Sequence, residues 1–79
     1  MRLLLEIPHS KYKIQWFHYN NKYILKIELG TFEQIFKIDE TEITQIDELS
    51  SMVNGLFLDH CLNRFIQMRT DWNNIIQNK

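Results

Sequence analysis

The stretch YKIQWFHYNNKYILKIEL, Tyr12 to Leu29, decides the fold. Asparagine tolerates positive φ, so Asn20-Asn21 suits a two-residue hairpin turn. Folding the chain there pairs Tyr19 with Lys22, His18 with Tyr23, Trp16 with Leu25, Ile14 with Ile27 and Lys13 with Glu28. Side chains alternate between the two faces of a strand, so this register sorts the residues. Tyr12, Ile14, Trp16, Tyr23, Leu25, Ile27 and Leu29 fall on one face, which reads as core. Lys13, Gln15, Phe17, Tyr19, Lys22, Ile24, Lys26 and Glu28 fall on the other, a lysine-bearing face with aromatic and aliphatic side chains among the charges.

Working outward, Leu3, Leu5 and Ile7 alternate with Arg2, Leu4 and Glu6 and predict a first strand. A turn at Pro8-His9-Ser10-Lys11 would pair Ile7 with Tyr12, Leu5 with Ile14 and Leu3 with Trp16. Beyond Leu29, Gly30-Thr31 predicts a second tight hairpin and a fourth strand, Phe32 to Ile38. Phe32, Phe36 and Ile38 then face Leu29, Leu25 and Tyr23. Two features strain this last register: Gln34 is polar on the core face, and Glu28 stands opposite Glu33, a like-charge pair that a bulge in the turn would relieve.

From Asp39 the hydrophobic period becomes helical. Thr44-Gln45-Ile46-Asp47 reads as a capping sequence with Thr44 as N-cap. Ile46, Leu49, Val53 and Leu56 form one stripe; Leu58, Cys61, Leu62, Phe65, Met68, Trp72, Ile75 and Ile76 form another. The stripes do not join, so the chain must break near Asn54-Gly55, with Gly55 suited to end the first helix. A short helix over about 45–53 and a long one over about 56–77 follow. At ~1.5 Å per residue the long helix covers the apolar sheet face from end to end, placing Trp72 inside with Trp16. The expected fold is α+β: one small domain over 1–79, a four-stranded antiparallel meander with a short and a long helix on one face.

Composition narrows the function. The 79 residues are 44% hydrophobic and 24% charged, ordinary for a globular chain. A domain of this size is marginally stable alone, and a second copy would help. The single cysteine excludes an internal disulfide framework and predicts a reducing, cytoplasmic setting. Glu6 and Pro8 interrupt the apolar start before it reaches signal-peptide length, and no run is long enough to span a membrane. The net charge of −1 conceals an asymmetry. Residues 1–38 hold six Lys/Arg against three Glu, net +3; residues 39–79 hold three against seven Asp/Glu, net −4.

Catalytic and metal chemistry find little support. Asp59-His60-Cys61 are consecutive on a helix and point about 100° apart, and Cys61 lies on the apolar stripe. His18 falls on the core face opposite Tyr23, and His9, His18 and His60 share no ligand spacing. Neither a phosphate-binding glycine loop nor an environment for a perturbed carboxylate is visible. No cofactor, no metal and no enzyme activity are expected. The outer sheet face is the remaining candidate. Lys13, Phe17, Tyr19, Lys22, Ile24, Lys26, Ile35 and Lys37 are its candidate contact residues, and Leu4, Phe17, Ile24 and Ile35 would make an apolar centre.

The segment Lys22-Tyr23-Ile24-Leu25-Lys26-Ile27-Glu28, followed by the apolar helix start Leu58 to Met68, resembles the third strand and long helix of a PUR repeat. The PUR family binds single-stranded nucleic acid, and two of its ββββα repeats interlock. The resemblance implies a homodimer here, since one repeat is present, with Lys13, Phe17, Lys22 and Lys26 as contact positions. The chain departs from the family in its short Gly30-Thr31 loop and its slightly acidic charge. The expected function is a non-catalytic protein-interaction or assembly module, homodimeric, using the sheet face, the long helix or both. The alternative is binding of single-stranded DNA or RNA through lysines on phosphates and stacked Phe17 and Tyr19.

Overall fold

The computed structural model describes residues 1–78. Four antiparallel strands lie in chain order in one sheet: β1 (Arg2–Ile7), β2 (Lys13–Tyr19), β3 (Lys22–Leu29) and β4 (Phe32–Asp39). A 3-10 turn (Glu40–Glu42), a short helix α1 (Asp47–Met52) and a long helix α2 (Gly55–Gln77) follow. The fold is α+β, as the period change at Asp39 predicts.

Asn20 and Asn21 both adopt positive φ, 52° and 62°, so the turn twists with the strands it joins. The β2–β3 register is the one expected, from Lys13 opposite Glu28 to Tyr19 opposite Lys22. The β3–β4 register also holds, and no bulge relieves the turn: Gly30 takes φ +63° and Glu28 faces Glu33 directly. Lys26 Nζ lies 3.9 Å from the Glu33 carboxylate and offsets part of that repulsion. Gln34 does sit on the core face. Its amide donates to the Cys61 carbonyl at 2.9 Å and accepts from Arg64 Nε at 2.9 Å, so a polar side chain there ties α2 to β4.

The irregularity lies in β1 instead. Ile7 pairs with Ile14 rather than Tyr12, and Leu5 with Trp16 rather than Ile14, a shift of two residues. Between paired positions the connection is two residues longer than the expected turn, and His9 organises it: its Nδ1 accepts from the backbone N–H of Lys11 (3.0 Å) and Tyr12 (3.3 Å). A bulge between Leu3 and Leu5 then moves Leu3 opposite Phe17. Leu4, expected on the outer face, packs toward the core, and Leu3 takes its place outside.

Tyr12, just before β2, and Ile14, Trp16, Leu25 and Ile27 of the sheet meet Leu49 of α1 and Cys61 and Phe65 of α2. The Trp16 indole N–H donates 2.9 Å to the Leu49 carbonyl, satisfying the one polar atom of a buried ring. His18 is held by Glu40, 2.7 Å from its Nε2, and by the Tyr23 ring, 5.3 Å between centroids. Thr44 is not an N-cap. Ile46 occupies that position without a side-chain cap, and Thr44 Oγ1 bonds the Glu48 carboxylate. Asn54-Gly55 does mark the break, but as a start signal: Asn54 Oδ1 accepts from Phe57 N–H at 2.9 Å and caps α2. Ile46 and Leu56, expected on the first buried stripe, are exposed, leaving Leu49 as the buried contact of α1.

Two core substitutions separate the roles of Trp16. Trp16→Ala should cost about 3–5 kcal/mol in chemical denaturation through the cavity it leaves. Trp16→Phe should cost about 1–3 kcal/mol, mostly for the Leu49 carbonyl left without its donor.

Candidate functional site

The outer sheet face is formed by cross-strand rows. Leu3, Phe17, Ile24 and Lys37 make one; Glu6, Gln15, Lys26 and Ile35 make the next. Lys13, Glu28 and Glu33 make a third, and Tyr19, Lys22 and Asp39 follow at the turn. All eight sequence-predicted residues therefore do share one surface. Their accessibility differs. Lys13, Tyr19, Ile35 and Lys37 are exposed, Phe17, Lys22 and Lys26 half-buried, and Ile24 only 6% exposed. Ile24 thus contributes packing within the face rather than contact area.

The electrostatics of this face are balanced. Lys13, Lys22, Lys26 and Lys37 share it with Glu6, Glu28, Glu33 and Asp39, four charges of each sign. Two lysines are engaged internally: Lys22 Nζ is 3.2 Å from Asp39, and Lys26 Nζ lies 5.7 Å over the Phe17 ring besides its approach to Glu33. Gln15, buried on this side, donates to Glu6 at 3.3 Å. The +3 surplus of the first 38 residues is not a property of this face, because Arg2 and Lys11 lie off it.

The second exposed surface is one the expectation placed inside. Trp72 is 51% exposed, Ile75 61% and Ile76 46%. Their helix runs past the sheet. An eight-residue strand spans ~26 Å at ~3.3 Å per residue, whereas the 23 residues of α2 span ~34 Å at ~1.5 Å per residue. Leu58, Cys61, Leu62, Phe65 and Met68 pack on the core, and every described residue from Arg69 onward is exposed. The radius of gyration, 14.3 Å, exceeds the roughly 11.6 Å of a compact chain this long. The sequence signal for this arm is regular. Leu58, Cys61, Phe65, Met68, Trp72 and Ile75 are spaced 3-4-3-4-3, a heptad seam whose first half faces the sheet and whose second half projects beyond it.

A groove of about 430 Å³ opens where α2 leaves the sheet. The β3–β4 turn, Leu29 to Phe32, forms one wall, and Leu62, Phe65, Ile66 and Arg69 form the other. A second cavity, about 400 Å³, lies between β4 and the start of α2, with Phe36, Met52 and Phe57 among its walls. Among the described residues no group of His, Cys, Asp or Glu is arranged to hold a metal ion, and no helix is long and apolar enough to cross a membrane. Cys61 is buried, with Arg64 Nη2 3.3 Å from its sulfur.

Burial pushes the Tyr12 phenol above its ordinary value of 10.0, and the neighbouring Cys61 and Asp59 add to the shift. Compared with family models, with curated proteins and with solved structures, the chain finds no match in any of the three.

Two measurements follow from this geometry. The raised Tyr12 pKa means the unfolded chain releases that proton first, so the stability this group contributes is fully present below pH 10.0 and is lost as pH rises through the folded value. Denaturation midpoints should fall above pH 10, and Tyr12→Phe should lessen the fall. A face with equal charges of both signs releases few counterions, so fluorescence anisotropy with a mixed-sequence single-stranded oligonucleotide should show a log–log salt slope shallower than about −1; a slope steeper than about −2 would contradict the balance.

Proposed function

We propose that this protein is a non-catalytic assembly module that works as a homo-oligomer, with the projecting end of α2 as its binding element. The observation that carries this reading is the continuation of a packed apolar seam into open solvent. Met68, Trp72 and Ile75 keep the spacing of the residues that bind the sheet, yet among the described residues Trp72 and Ile75 keep half or more of their surface in solvent. Single exposed apolar residues are ordinary, but a contiguous set at heptad spacing is the pattern of an interface.

Helix propensity supports the same reading. The arm reads RTDWNNIIQ over residues 69–77, and Thr, Asp, Trp, Asn and Ile are all poorer helix formers than Ala. At ~0.4–0.7 kcal/mol each, those seven residues disfavour helix by a few kcal/mol relative to alanine. Packing of an amphipathic face usually supplies what propensity does not. An arm of this composition is most stable as a helix when its apolar side is covered.

The alternative, single-stranded nucleic-acid binding by the outer sheet face, has the half-exposed Tyr19 and the Phe17–Lys26 stack in its favour. The four carboxylates among its four lysines weigh against it, so the arm is the better supported element.

Sedimentation equilibrium tests the reading. The unaltered chain should exceed its monomer mass of 9.7 kDa at micromolar concentrations. Trp72→Asp/Ile75→Asp should be monomeric while keeping the near-UV circular dichroism of buried Trp16. A chain monomeric throughout the range, or a double variant that still associates, would remove the arm as the binding element.

A further inference from the structure

Resting on the assembly reading, we infer that the groove beside the β3–β4 turn is a binding site for the α2 tip of a second copy, in a closed antiparallel pair. The direction follows from the fold. The first half of the seam is already covered by the protein's own sheet, so a copy approaching the second half in parallel would bring its sheet into the same space. Only an antiparallel approach sets arm on arm with the two sheets at opposite ends.

Antiparallel heptad seams pair a positions with d positions. Setting Trp72 opposite the partner's Met68 brings Ile75 to the mouth of the partner's groove, whose floor includes the buried Phe65, and the two-fold repeats both contacts. Ile76, on the flank, then reaches the partner's Leu62. Leu62 and Phe65 line the groove, so the tip of one arm enters the groove of the other without a change in register. Tip and groove lie on the same helix about 14 residues apart, and each copy supplies both, which is the requirement for an isologous interface. At about 430 Å³ the groove falls within the ~300–1,000 Å³ of sites that bury ligands.

The buried area fits a reversible pair. The exposed portions of Trp72, Ile75 and Ile76 offer roughly 250 Å² per copy, and the facing groove loses a similar area. The total, about 1,000 Å², is at the lower bound for a specific interface, so association in the micromolar range is expected. The Arg69 side chains of the two copies flank the axis on one side, and the Asp71 side chains on the other. These like-charge approaches are screened by salt, so the pair should tighten modestly as salt rises.

Disulfide trapping tests the geometry. In a Cys61→Ala background, Leu62→Cys and Ile76→Cys are combined in one chain. Within that chain the two sulfurs are ~21 Å apart along α2 and cannot join. Across the antiparallel pair they meet twice. Mild oxidation of the double variant should give a covalent dimer and no larger species, and neither single variant should cross-link. Cross-linking of Ile76→Cys alone would indicate a parallel arrangement, and a ladder of higher oligomers an open one; either overturns the closed pair while leaving the arm as binding element. A chain that sediments as a monomer overturns both. The cross-linked double variant should also sediment as a dimer at every concentration; if it forms no cross-link while the unaltered chain is dimeric, the groove is not the site.

Discussion

Two adjacent asparagines in the left-handed region hold the arrangement together. A one-residue slip in the β2–β3 register would put Ile14 and Trp16 on the face opposite to Leu25 and Ile27 and split the apolar set between the two faces, so the tight turn at Asn20-Asn21 controls whether one face is apolar. The rest depends on that choice. Trp16 can reach the Leu49 carbonyl only from the inner face, and that bond anchors the segment bearing α1 over the sheet. Gln34, on the same face, fixes α2 through the Cys61 carbonyl and Arg64. Glu40, just past β4, donates its backbone N–H to the Asn21 carbonyl at 3.1 Å and holds His18 through its carboxylate, so the chain leaving the sheet returns to the turn that set its register.

Local chemistry was legible from the sequence, and lengths were not. Strand pairings on both sides of β3 follow from turn residues and alternation, because each is decided within a few positions. The β1 bulge was hidden: Leu3-Leu4-Leu5 carries no alternation of its own, so nothing in those three residues says which one is the extra. The longer connection after Ile7 depends on a histidine accepting two backbone N–H groups, a use of His9 that composition does not announce. The misplaced Trp72 is the most consequential case. Periodicity correctly assigned it to the same stripe as Phe65 and Met68, but a stripe says which way a residue points along a helix and not whether anything stands opposite. The ~8 Å excess of helix over strand decides that.

The candidate surface shifted for a similar reason. A surplus of lysine in the first half of the chain suggested a basic outer face. The pairing brings Glu6, Glu28, Glu33 and Asp39 onto the same rows, and cross-strand neighbours neutralise what a linear count leaves separate. Charge along a sequence is one-dimensional, and a sheet folds it into two.

The arm joins these threads. A domain of 79 residues buries only about 60% of its unfolded surface, and here a further share of its apolar residues is spent beyond the core. Tertiary packing ends near Met68, and the weak helix formers after it are ordered chiefly by continuation from the packed turns. Association would cover the same side chains and stabilise the same turns, so helix order in the arm and the proposed pairing would be coupled steps of one process. Such coupling would place part of the gross contact energy into ordering the arm and would keep the proposed small interface reversible. Under the proposed assembly, the overrun of α2 past its sheet, a defect if the fold is judged alone, becomes the feature through which one copy would meet another.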